Sequence, residues 1–204
     1  MSSKSHWEHV YATKAADAVS WFQPRAERSL RLIGETGVPR DAAIIDVGGG
    51  ASRLVDGLLA DGYENLTVLD LSVAALEKAK ERIGDQAAQV RWIEADITQT
   101  TLPEATYDVW HDRAVFHFLT ELEQRQAYIQ SVLRSVKPGG HVLIATFAED
   151  GPTQCSGLPV RRYRAETLQA ELGESFTLIR HEDEDHDTPF GTVQPFVYCH
   201  FRKK

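Results

Sequence analysis

Three acids and a run of glycines are the residues best placed to do chemistry. Asp46 precedes Gly48-Gly49-Gly50, Asp70 closes the apolar run Leu66-Thr67-Val68-Leu69, and Asp96 follows Val90-Arg91-Trp92-Ile93-Glu94. Glycine lacks a Cβ, so a glycine turn can bend sharply and let the backbone approach a ligand. A helix opening after the turn, at Leu54, presents free N–H groups and the positive end of its dipole there. Strand, glycine turn and helix in this order form a nucleotide-cofactor site.

The glycine spacing and Asp46 narrow the choice of cofactor. A dinucleotide fold requires GxGxxG. Counted from Gly48, its third glycine falls on Arg53; counted from Gly49 or Gly50, the second glycine is missing. A carboxylate at position 46 would repel a pyrophosphate and attract a cation, so S-adenosylmethionine, with its sulfonium and α-amino group, fits better. Asp70, followed by Leu71, can accept from both ribose hydroxyls. Asp96 can accept from the adenine amino group while Ile97 packs on the ring.

These residues need a sheet whose strand ends converge. Ala43–Val47, Leu66–Asp70, Val90–Glu94, the run from Tyr107 and His141–Phe147 read as strands. Helical patterns lie between them. One runs from Leu54 to Gly62, another from Ser72 (an N-cap) to Gly84, and a third follows a capping box of Thr120 and Glu123. Lys137-Pro138-Gly139-Gly140 reads as a turn, residues 148–163 as a loop and Arg164–Leu172 as a helix. Phe176–Ile179 and Phe196–Phe201 read as a final hairpin around an acidic loop at Glu182–Asp185. The expected fold is α/β: a three-layer Rossmann-like sandwich on a seven-stranded, mostly parallel sheet with an antiparallel last strand. The 204 residues are expected to form one domain. Its parts would be an aromatic arm and helix serving as a lid (1–40), a cofactor-binding core (41–147), and a substrate-side loop with the last strands (148–204).

Composition excludes several classes. A formal net charge of −8 argues against a nucleic-acid partner. No apolar run approaches the roughly 20 residues of a membrane span, and the start has no secretory pattern, so the expected compartment is the cytoplasm. The two cysteines, Cys155 and Cys199, form neither a disulfide framework nor a zinc motif.

The chain resembles the class I S-adenosylmethionine-dependent methyltransferases over nearly its whole length. The resemblance is carried by Asp46-Val47-Gly48-Gly49-Gly50, Asp70, Ala95-Asp96-Ile97, Tyr107-Asp108-Val109-Trp110 and Lys137-Pro138-Gly139-Gly140. Ser52 departs from it, standing where that family often has its third glycine. Trp7, Tyr11 and the pair Trp21-Phe22 are similar to an arm found in thiopurine and tellurite-resistance-type enzymes and in enzymes that modify protein lysines. The resemblance implies that Trp7, Tyr11 and Trp21 fold over cofactor and substrate.

Methyl transfer is an in-line displacement that needs alignment, with a base only if the acceptor arrives protonated. The acceptor is expected beyond the fourth strand. There His111 is a candidate base and cofactor contact, and Asp112 a candidate partner for an ammonium, with Arg113 and His117 nearby. Arg161, Arg162 and Tyr163 are candidates to hold and orient the acceptor from the loop after the fifth strand. The His181–Asp187 run is expected to be an exposed loop, and no metal site is expected. The expected acceptor is a small molecule, because the compact chain carries no added recognition domain. Alternatives are a protein lysine methyltransferase, a non-catalytic adenosylmethionine-binding module and, last, a dehydrogenase.

Overall fold

Short apolar runs build the sheet. The computed structural model describes residues 3–204; Met1 and Ser2, the start of the expected arm, lie outside the described residues. Five strands enter in parallel: β1 (Ala43–Val47), β2 (Asn65–Asp70), β3 (Val90–Glu94), β4 (Tyr107–Arg113) and β5 (Val136–Phe147). β8 (Phe176–Asp187) forms one edge, and β9 (Val193–Lys203) is inserted antiparallel between it and β5. The order is β3-β2-β1-β4-β5-β9-β8, seven strands with the last one reversed. Every residue of β1 is buried, as expected for a parallel strand covered on both faces.

Helices α2 (Glu27–Glu35), α3 (Leu54–Ala60) and α4 (Val73–Ile83) and helices α5 (Leu122–Ser135) and α6 (Ala165–Leu172) complete the sandwich. Leu30, Ile33, Leu54 and Leu58 pack with Ile44 in one core cluster; Tyr128, Val132 and Leu168 pack with Trp110 and Val142 in the other. Ser72 caps α4 as its sequence suggested, its side chain accepting from the Ala75 N–H. Among the described residues no helix is long and apolar enough to cross a membrane.

Four local expectations change. The aromatic arm begins as a helix, α1 (Ser3–Thr13), which places Trp7 and Tyr11 one turn apart on one face. The capping box at Thr120 does not form. Glu121 is the N-cap, and Arg125 donates instead to the Leu119 and Thr120 carbonyls. The Lys137–Gly140 segment is not a separate turn. β5 already starts at Val136, with a register shift opposite Tyr107 and Val109 and with Gly139 at φ +73. The acidic run is strand, not loop. Glu182 and Glu184 point inward on β8, where Arg28 and Arg31 of α2 pair with Glu182 and Arg28 pairs with Glu184. Charge pairing across elements thus keeps extended a segment whose composition reads as a turn. The loop after β5 holds a small hairpin, β6 (Gln154–Cys155) with β7 (Leu158–Pro159).

Candidate cofactor and acceptor site

The carboxyl ends of β1, β2, β3 and β4 open into one cavity enclosing about 910 Å3 of space including its mouth. Gly48, Asp70, Leu71, Asp96 and Ile97 line its sheet side. Trp7, Tyr11, Trp21 and Phe118 form the aromatic wall, with Trp7 ring centroids 5.6 Å from Trp21 and 5.1 Å from Phe118. The glycine turn is tight against this space. Gly48 sits at φ +71 with its N–H donating to the Leu69 carbonyl at 2.7 Å, and a Cβ there would lie 2.0 Å from Val115 Cγ2. A Cβ on Gly49 would meet Asp46 Oδ2 at 2.5 Å, and one on Gly50 would meet Asp70 Oδ2 at 2.6 Å. The turn therefore brings bare backbone against two carboxylates.

Asp70 accepts from the Ser72 N–H at 2.8 Å. Burial pushes its pKa up to about 7, and the Asp46 carboxylate adds to the rise against the opposing backbone hydrogen bonds. Asp96 organises the turn after β3, accepting from the Thr98 N–H, the Thr98 hydroxyl and the Gln99 amide.

A second, smaller cavity shares Tyr11, Trp21, Gly48 and Arg113 with the first and has Asp46, Arg53 and His111 in its wall. Asp46 and His111 are register partners on adjacent parallel strands, so they share a face. His111 Nδ1 lies 2.7 Å from Asp46 Oδ1, and Nε2 lies 2.9 Å from Ser29 Oγ. With Nδ1 donating to the carboxylate, the other ring nitrogen is left to pair with the serine hydroxyl. Both ring nitrogens are thereby engaged in the protein, which corrects the expectation of a free base. The ring instead holds Asp46 under the glycine turn. His111→Ala is expected to leave a buried carboxylate short of a donor and to lower stability by about 1–3 kcal/mol in a urea titration. An unchanged midpoint would contradict this holding role.

Asp112, the next residue on β4, faces the opposite side. It accepts from the Val115 and Phe116 N–H groups (2.8 and 3.1 Å) and the Tyr128 hydroxyl (2.6 Å), so it closes the chain turn after β4 rather than meeting an acceptor. Burial raises its pKa to about 6. Tyr163 is also displaced from its expected role. It is fully buried beside Phe116, outside these two cavities and in the wall of a separate one with Ala148 and Arg164, and burial raises its pKa. Arg161 pairs with Glu171, and Arg162 donates to the Gly151 carbonyl. His117 is buried, and its Nδ1 accepts from the Phe147 N–H; burial lowers its pKa to about 3. Arg113 reaches the cavity, donating from Nε to the Tyr198 hydroxyl and from Nη1 to the Trp21 carbonyl.

Val115, Phe118 and Gln124 also line the main cavity and were not foreseen. Val115 and Phe118 flank and end a short 3-10 turn (Phe116–Phe118) and Gln124 lies in the first turn of α5, so no apolar period aims them at the cavity. Among the described residues, no group of three or more His, Cys, Asp or Glu side chains could hold a metal ion.

Residues 44–140 match the family described as a methyltransferase domain. The eEF1A lysine and N-terminal methyltransferase of Mus musculus is 25% identical over 153 residues, covering 72% of this chain and 22% of that protein. A malonyl-[acyl-carrier protein] O-methyltransferase of Anoxybacillus flavithermus is 34% identical over 108 residues, covering 52% of this chain and 39% of its own length. The chain thus spans well under half the length of these two relatives. In fold it is similar to the 1,6-didemethyltoxoflavin-N1-methyltransferase of Burkholderia thailandensis, whose structure holds 1,6-didemethyltoxoflavin and S-adenosylhomocysteine. The TM-score is 0.72 at 21% identity, over 98% of this chain and 87% of that one. Domain match, relatives and fold agree: residues 44–140 carry a methyltransferase domain, and the chain as a whole is similar in fold to a methyltransferase solved with S-adenosylhomocysteine.

Proposed function

We propose that this chain transfers the methyl group of S-adenosylmethionine to a small, largely apolar acceptor. The observation that carries this reading is the division of the main cavity. Its sheet side has a bare glycine turn and the Asp70 carboxylate; its aromatic wall of Trp7, Tyr11, Trp21 and Phe118 brings no carboxylate of its own. The sheet side fits the cofactor. Asp70 would accept from the ribose hydroxyls, Leu71 and Ile97 would pack on the adenine, and the bare Gly48–Gly50 backbone would leave room for the sugar and the amino-acid portion. Asp46, held by His111, places negative charge beside that turn for an ammonium or sulfonium. When bound, the cofactor supplies a methyl already activated on sulfur.

The chain's own part is to align the acceptor and exclude water. Trp7, Tyr11 and Trp21, as a lid, cover the cavity, and Phe118 and Val115 shape its acceptor end. The titratable residues of the wall are Tyr11, Asp70, Asp96 and Arg113, none of them a free base at the acceptor end. The acceptor atom is therefore one that is nucleophilic without proton removal by the protein, such as a thiolate, a carboxylate or a neutral amine. A protein lysine is the second reading, favoured by the relative from Mus musculus named for that activity. It fits less well, because the aromatic end offers no anionic partner to an ammonium. Cys155 and Cys199, both free and buried, suit a reducing compartment such as the cytoplasm.

The test is incubation with labelled cofactor against thiol, amine, carboxylate and protein panels. The expected result is label in at least one small molecule and none in protein bands. Label confined to protein would overturn the small-acceptor reading. Cofactor binding without transfer to any panel member would favour the binding module instead.

A further inference from the structure

The aromatic arm is tied to the body of the protein at one point more elaborately than anywhere else. Glu8 follows Trp7 and lies one turn before Tyr11 on α1. Its Oε1 accepts from the Val73 N–H at 2.7 Å, and its Oε2 accepts from the Ala74 N–H at 3.1 Å and from the Ser72 hydroxyl at 3.2 Å. These two N–H groups open α4, where backbone donors have no partner within the helix and the dipole favours negative charge. Trp7 of α1 packs on Trp21 and Phe118 and Tyr11 packs on Trp21, while two of its other polar contacts are simpler. Lys4 pairs with Glu94 at the surface, each about half exposed, and His6 lies 3.4 Å from Ser156 Oγ. Exposed pairs of that kind hold an element weakly.

The same turn also serves Asp70. The Ser72 N–H donates to Asp70 Oδ1 at 2.8 Å, and the Ser72 hydroxyl accepts from the Ala75 N–H while donating to Glu8. Two carboxylates thus bracket residues 72–74, one carried by the arm and one by the sheet. Lifting α1 away from the cavity removes Trp7 and Tyr11 from the wall and strips three donors of their acceptor. The ordinary replacement for those donors would be water, which then enters beside Asp70.

We propose that Glu8 is a positioning residue: it latches the aromatic arm shut over the cofactor cavity and, through Ser72, ties that closure to the orientation of Asp70. The latch rests on the reading of this cavity as the adenosylmethionine site. It acts on the residence of the bound cofactor more than on its initial encounter, because the contacts form only when the arm is down.

The test compares wild type with Glu8→Ala and Glu8→Gln in two measurements. In the first, stopped-flow displacement of S-adenosylhomocysteine, dissociation is expected to quicken about tenfold or more in Glu8→Ala, with Glu8→Gln in between because its one carbonyl oxygen still accepts. In the second, hydrogen exchange on the unliganded protein, residues 3–13 and the Val73 and Ala74 amides are expected to lose protection while β1 and β4 keep theirs. A purely structural role would loosen the whole molecule equally, and that result overturns the proposal. Unchanged dissociation with unchanged arm protection overturns it as well. If Glu8→Ala does not fold, Glu8→Gln alone decides by the same criteria. If wild type binds no S-adenosylhomocysteine, the cofactor reading fails, while the exchange measurement still decides whether Glu8 holds the arm.

Discussion

Gly48→Ala is expected to abolish detectable cofactor binding and to destabilise the protein by roughly 2–5 kcal/mol. Two effects add. An alanine at φ +71 carries the left-handed penalty of about 1–2 kcal/mol, and its Cβ would lie 2.0 Å from Val115 Cγ2. Val115 cannot withdraw freely, since its N–H is held by Asp112 at 2.8 Å. Relief must therefore push Val115 into the cavity or lift the glycine turn off β2. Either movement damages the ligand-facing surface. Gly62→Ala is the internal control. It also sits at positive φ (+83), but a Cβ there meets nothing within 4 Å. It should cost only the backbone penalty of about 1 kcal/mol and leave binding unchanged. Urea titrations paired with binding isotherms separate the two variants. Equal binding losses in both would show that the close approach at Gly48 is unimportant.

Asp70→Asn is expected to move binding and stability in opposite directions. Losing the anionic acceptor for the ribose hydroxyls should weaken cofactor binding by about 1–3 kcal/mol, roughly 5- to 150-fold. The unliganded protein should instead gain stability above neutral pH. The folded-state pKa of about 7 lies above the ordinary 3.8, so the stability linked to Asp70 protonation is present below about pH 4 and is lost as pH rises through about 7. At pH 8 the carboxylate is ionised in a buried setting, and a neutral amide that can still accept from the Ser72 N–H removes that burden. The unfolding midpoint of Asp70→Asn should therefore exceed that of wild type at pH 8, with the gap closing toward pH 5. Weaker binding together with a lower midpoint at pH 8 would mean that Asp70 is a structural residue and not a strained ligand acceptor.

The parallel core was legible because its strands are apolar runs ended by acids or glycines. α4 was legible from Ser72 and Gly84, the latter at φ +58 just past the helix. What stayed hidden was decided by partners distant in sequence. α1 has no strong apolar stripe, and its Glu8 is bonded to the first N–H groups of α4, a pairing that local spacing does not reveal. β8 carries Glu182 through Asp185 because Arg28 and Arg31, more than 150 residues earlier, neutralise its inward side.

The site divides in the same way. Asp70, Asp96 and the glycines could be placed by type and strand end, since parallel strands deliver their carboxyl ends to one edge. His111 and Asp112 could not, because their roles turn on which face of β4 each occupies. Register sets His111 beside Asp46, and alternation then sends Asp112 toward Tyr128. Tyr163 was aimed at the acceptor from loop position alone, but its ring is drawn into the core against Phe116.

We propose that the turn at Gly48–Gly50 and Asp70 hold S-adenosylmethionine. Isothermal titration of the wild-type chain with S-adenosylmethionine and S-adenosylhomocysteine tests it most directly. Binding in the micromolar range, on the order of −8 kcal/mol, is the predicted result for both. No detectable heat or saturation with either ligand, from protein shown to be folded, would contradict the account.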